Sequence, residues 1–165
     1  MLDRKPRSRR RHAAGLALGA ALVATPACAD ELPGDLDGYA ERCIPLNQDP
    51  IAPYDGDPHK GDKRVYVCDV ALEDLVDPSG AQRLPYPVGA VVVKESTKDF
   101  QGYPWLIAVA RKGEGGWSWA EYTRNFESEP FYKILASESV CTGCHEKART
   151  ADWIFTRYDG PPPGG

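Results

Sequence analysis

The sequence predicts an α+β fold, mainly antiparallel β-sheet with one functional helix close to the C-terminus. Three observations carry that prediction. β-branched runs alternate with polar residues at several points, glycine and proline (16 and 15 of 165 residues) punctuate the chain densely, and one long helical pattern stands near the end. A hydrophobic fraction of 42% and an aromatic fraction of 10% are enough to build one globular core. Mean hydropathy is −0.46, and beyond the first 25 positions no apolar run approaches 20 residues, which excludes a polytopic membrane protein.

The elements follow in order. A short helix is expected at Leu36–Cys43, then a Pro- and Gly-rich stretch to Gly61. Arg64–Val70 alternates as a strand, Leu72–Val76 makes one helical turn, and Asp77-Pro78-Ser79-Gly80 is a turn. Val88–Glu95 and Trp105–Arg111 read as strands, and a glycine loop at Gly113–Gly116 turns the second into Trp117–Tyr122. Ser137–Thr150 is the long helix, with Ser137 or Ser139 as its cap. Asp152–Tyr158 is expected to close the fold as a strand. The resulting organisation is a leader over 1–29, a loop-rich segment over 30–62, a domain over 63–160 and a disordered tail over 161–165.

The leader is an address. Arg4, Lys5, Arg7, Arg9, Arg10 and Arg11 precede an apolar stretch from Ala13 to Ala24, and Ala27-Cys28-Ala29 supplies a small-residue cleavage pattern. A secretory signal peptide and a periplasmic destination follow. Ser8-Arg9-Arg10-Arg11 leaves twin-arginine export open beside the general route, and Cys28 leaves lipidation open. Removing this segment, of net charge +5, takes the formal charge from −4 to about −9, which disfavours nucleic acid and anionic lipid as partners.

Five cysteines are present, and cleavage removes Cys28. In an oxidising compartment the other four need explaining. Cys141-Thr142-Gly143-Cys144-His145 is a C-x-x-C-H motif, the attachment signature of haem c. Two thiols three residues apart share one side of a helical turn and can both add to the porphyrin vinyl groups, while His145 supplies the proximal iron ligand. A redox pair and half of a zinc site are the alternatives, although a zinc site would have only His59 to draw on. Cys43 and Cys68 then pair by elimination as a disulfide, against the alternative of two isolated buried thiols.

The sixth iron position is constrained by scarcity. Met1 is the only methionine, so a Met-ligated cytochrome is excluded. Of three histidines, His12 leaves with the leader and His145 is proximal. His59 sits in a Pro- and charge-rich stretch and reads as a solvated loop residue. Five-coordinate iron with an open distal pocket is the expectation. The competing reading is a periplasmic electron carrier with low-spin haem, ligated by His59 or a lysine.

Gly89–Glu95, then Gly116–Tyr122, then Cys141–His145 followed by Ala151–Thr156 form a succession that resembles the cytochrome P-460 and cytochrome c′-beta superfamily over about residues 85–158. The resemblance implies an antiparallel sheet packed on a haem-bearing helix, five-coordinate haem c and a homodimer formed through the sheet. It implies a small ligand, either hydroxylamine, oxidised in the P-460 branch, or nitric oxide or carbon monoxide, bound in the other. A lysine cross-linked to haem and a distal carboxylate that accepts protons mark the P-460 branch. Lys94 and Glu121 are the candidates here. A salt-bridged or snorkelling strand-end lysine and a water-facing glutamate are their ordinary alternatives. Glu121 shares a strand face with Trp117 and Trp119, where desolvation would incline it to hold a proton. Phe100, Trp105 and Phe131 are expected either to wall an apolar pocket or to belong to the core.

Overall fold

The computed structural model describes residues 31–135 and 137–164; the leader, with Cys28, lies outside them. Six antiparallel strands form one sheet in chain order: β1 (Ile44–Pro45), β2 (Asp62–Cys68), β3 (Val91–Thr97), β4 (Leu106–Gly113), β5 (Gly116–Thr123) and β6 (Tyr132–Lys133). Such a meander needs no crossover, since each strand pairs with its sequence neighbour. Three short helices accompany it: α1 (Tyr39–Arg42), α2 (Leu72–Leu75) and α3 (Glu138–His145), the last continuing into a 3₁₀ turn at Glu146–Ala151. Among the described residues no helix is long and apolar enough to cross a membrane.

Strand alternation sorts the side chains into two layers. On one face Tyr66, Val91, Val93, Ile107, Val109 and Tyr122 pack beneath Leu36 and Cys43. On the other, Val65, Val67, Val92 and Ala110 pack with Leu46, Leu75, Val76, Tyr86 and Ile154. The segment before β2 is stitched to the sheet in three ways: Cys43 and Cys68 are disulfide-bonded, β1 pairs with β2, and Leu36 and Leu46 are buried. Closing a loop of 25 residues contributes about 3 kcal/mol by restricting the unfolded chain.

Three local expectations are corrected. The β4–β5 connection is a two-residue loop, Glu114-Gly115, because Gly113 and Gly116 themselves pair. Helical geometry ends at His145 and tightens to 3₁₀ instead of running to Thr150. Asp152–Tyr158 is not a strand. Asp152 and Trp153 both take left-handed backbone conformations (φ 50° and 69°), which break extended geometry. Lys112 holds that turn by donating to both Asp152 carboxylate oxygens (2.7 and 2.9 Å), and Asp152 Oδ2 accepts the Tyr86 amide (2.9 Å). Further on, the Tyr158 hydroxyl donates to the Pro161 carbonyl (2.7 Å).

Candidate functional site: a cavity between the sheet and the C-x-x-C-H helix

The strand register explains why a cavity exists. Two rows run across the sheet: Val65, Lys94, Ala108, Glu121, and Val67, Val92, Ala110, Trp119. In both rows β4 contributes alanine, so a trough of small side chains runs down the middle of this face. Helix α3 covers the trough. Its first turn is docked by Glu138, whose Oε1 accepts the Trp119 amide (3.1 Å). Cys141, Cys144 and His145 all face the enclosed space, whose volume is about 920 Å³ with its mouth. Its walls are mostly apolar, with Val92, Val140, Ile154 and Phe155 prominent.

Across the space from the motif stand three polar side chains. Lys94 Nζ and His59 Nδ1 lie at hydrogen-bond distance (2.5 Å), as do His59 Nε2 and Glu121 Oε1 (2.5 Å). Lys94 and Glu121 are two strands apart, roughly 10 Å at the backbone. The imidazole spans that gap over Ala108. His59 was expected to be a solvated loop residue; this is corrected, since its side chain is only 15% exposed and both ring nitrogens are engaged. The Pro- and charge-rich composition misled because the stretch is folded inward by its own charges. Asp57 Oδ1 accepts the His59 amide (2.9 Å), and the Asp57 carboxylate pairs with a buried Lys63.

The electrostatics follow from burial and these contacts. Desolvation lowers the Lys94 pKa to about 8 and outweighs the attraction of Glu121 and Asp57. Glu121 moves the other way from the expectation that it holds a proton. The His59 hydrogen bond pulls its pKa below the ordinary glutamate value and outweighs desolvation. Burial raises the Cys141 thiol. Burial also lowers His145, partly offset by the bond between its Nδ1 and the Trp153 carbonyl (2.6 Å).

The aromatic residues named from sequence do not wall this cavity. Phe100 is 95% exposed and so belongs to no core. Trp105 is held outside by a bond from its Nε1 to the Lys60 carbonyl (3.0 Å), and Phe131 packs on the opposite face. Trp119 and Phe155 take that place, at 4.3 and 5.1 Å from the His145 ring between centroids. Trp119 stands where the strand period places it, on the face of Glu121, whereas Phe155 has no sequence signal because the left-handed turn that aims it has none.

The resident groups fit a haem c on three counts. Two free thiols and an imidazole line one wall of an apolar cavity. His145 Nδ1 is bonded to the backbone, which leaves Nε2 for a metal. The buried Trp119 Nε1 has no partner and can serve a polar edge of a bound group. Among the described residues no group of three His, Cys, Asp or Glu side chains is arranged to hold a metal ion by itself. Comparison with known protein families and with curated proteins finds no match to this chain.

Proposed function

We propose that this is an exported monohaem c-type protein, five-coordinate through His145, that binds and transforms a small nitrogen-containing ligand. The reading rests on one observation: the C-x-x-C-H wall and the Lys94–His59–Glu121 wall face each other across a single apolar cavity. Cys141 and Cys144 would form the thioether attachments. Haem iron would bind the ligand at its open position and exchange electrons with it.

The remaining work belongs to the chain. The Trp153 carbonyl fixes the His145 ring and its tautomer. Val92, Ile154 and Phe155 present apolar surface to the ligand. Lys94 and the Glu121 carboxylate supply proton acceptors on the distal side, at a place where proton transfer needs positioned groups. This polar wall favours a ligand that carries protons, such as hydroxylamine, over nitric oxide or carbon monoxide. It also disfavours the electron-carrier reading, because both His59 nitrogens and the Lys94 amine are already engaged with one another. With Nζ at hydrogen-bond distance from His59 Nδ1, this reading takes Lys94 as a free amine rather than as the haem cross-link.

The test is the colour and spectrum of the full chain exported by a host competent in cytochrome maturation. A high-spin ferrous spectrum that shifts on adding carbon monoxide supports the proposal. A colourless protein overturns the haem, and a low-spin spectrum in both oxidation states overturns the open site.

A further inference from the structure

His59 does more than fill space, and its surroundings indicate what. The imidazole lies between the Lys94 amino group at Nδ1 and the Glu121 carboxylate at Nε2, each at 2.5 Å. A merely packed histidine needs one such partner. The loop that delivers it is pinned at several points. Lys63 Nζ pairs with Asp57 and donates to the Gly61 carbonyl (2.9 Å). Gly61 lies so close to β3 that an added Cβ would stand 2.2 Å from the Thr97 carbonyl oxygen, and its φ of 97° suits glycine alone. Trp105 Nε1 ties down the Lys60 carbonyl. The ring is therefore held in place between β3 and β5, over the gap that Ala108 leaves.

We infer that His59 is the bridge of a proton relay that carries protons from a small protic nitrogen substrate, taken up at Lys94, across to Glu121. The identity of the substrate rests on the haem reading above; the relay itself rests on the hydrogen bonds. The Lys94 amine accepts a proton from a substrate N–H or O–H and becomes an ammonium. That proton passes to His59 Nδ1 while the Nε2 proton passes to the Glu121 carboxylate. Lys94 is again an amine, the imidazole carries its proton on Nδ1, and Glu121 is a carboxylic acid. Glu121, its side chain 18% exposed, releases the proton to water, and exchange with water returns the imidazole to its first tautomer. One proton leaves the substrate for solvent, and no electron moves in this step. The titratable and charged groups facing the relay are Asp57 on its own loop, Lys63 on β2, and Cys141, Cys144 and His145 from the α3 side.

Glutamine separates bridging from proton transfer. In His59→Gln the amide oxygen can accept from Lys94 and the amide nitrogen can donate to Glu121, but an amide does not exchange tautomers. Hydroxylamine turnover should fall at least about 100-fold in both His59→Gln and His59→Ala, as expected when a general acid–base group is lost. The fall should appear in kcat with little change in KM. Wild-type turnover by His59→Gln would overturn the relay, because it would assign His59 a bridging role only. Absence of hydroxylamine turnover by the coloured wild-type protein would overturn the substrate class. A second readout does not depend on activity: the nitrogen-15 spectrum of His59 in the full chain. A single tautomer with the proton on Nε2, lost in a Lys94→Met, Glu121→Leu double variant, supports the bridge, whereas rapidly averaged tautomers in the wild type overturn it. Should the protein be colourless, the haem reading falls and this spectrum alone decides the relay. A haem peptide retaining a Lys94 fragment would also overturn it, since Lys94 would no longer be a free amine.

Discussion

Lys94 and Glu95 are neighbours on β3, yet the sheet sends them to opposite worlds. Glu95 points to the face covered by α1, where the Tyr39 hydroxyl donates to it (2.6 Å) and Tyr66 more weakly (3.3 Å). The two phenol rings meet edge to face, and burial, aided by Glu95, raises the pKa of both. The centre of that face is packed, with Ile107 and Val93 fully buried, while Arg64 and Arg111 stand at its edges. Lys94 points to the face with the alanine trough, where volume is missing and three polar groups share it. The difference lies in side-chain size on one strand. Ile107 and Val109 fill their side of β4, whereas Ala108 and Ala110 leave theirs empty. One face is packed at its centre, and the other is hollow and carries three polar groups.

The sharpest way to break that contrast is to fill the trough. On the haem reading, Ala108→Leu should abolish haem incorporation, read from absorbance per mole of purified protein, while thermal unfolding changes little. Ile107→Ala on the same strand should do the reverse. Truncating a fully buried isoleucine costs about 2–5 kcal/mol, measured by denaturant unfolding, and haem content per folded molecule should be kept.

Next in size is the anchor of the His59 loop. Asp57→Ala leaves Lys63 charged and buried without its partner, at a cost of about 3–5 kcal/mol in the same unfolding measurement. The wild-type pair also predicts acid sensitivity. Burial would raise the Asp57 pKa, but hydrogen bonds from Lys63 and the His59 amide together with the nearby positive charge hold it below the ordinary value of 3.8. The folded state therefore binds fewer protons than the unfolded chain at low pH. Stability from this group is present above pH 3.8 and declines as pH falls through the lower folded value.

Lys94 gives the opposite end of the scale. Its folded pKa of about 8 lies below the ordinary 10.5, so between those values the unfolded chain binds more protons and stability rises with pH. Denaturation midpoints of wild type and Lys94→Met, compared from pH 8 to 10.5, should converge or cross in the wild type's favour as pH increases. An unchanged difference would deny Lys94 its burial. The smallest effect belongs to the packed face: Tyr39→Phe removes one hydrogen bond to Glu95 and should cost about 1 kcal/mol.

How much of this was legible before folding differs residue by residue. β2, β3, β4 and β5 declare themselves by β-branched alternation, and their bounds shift by only a few positions. The α3 helix and its cysteines are legible because the C-x-x-C-H spacing stands in the sequence itself. The shared face of Trp117, Trp119 and Glu121 follows from the period of a strand. Asp152–Tyr158 has the apolar pattern of a strand, while the turn at Asp152 and Trp153 depends on Lys112, forty positions earlier. The charge state of Glu121 depends on distance in the same way: its partner lies 62 positions away.

Alternation, glycine–proline punctuation and the C-x-x-C-H spacing are local properties, and local properties were enough to define a β-rich chain with one chemically marked helix. Elimination among few cysteines was enough to pair Cys43 with Cys68. Which face of β3 would be hollow, and that His59 would enter it, depended on β4 pairing between β3 and β5 and on Asp57 meeting Lys63. Those are long-range contacts, fixed by packing and charge across the folded sheet, and no window of sequence contains them.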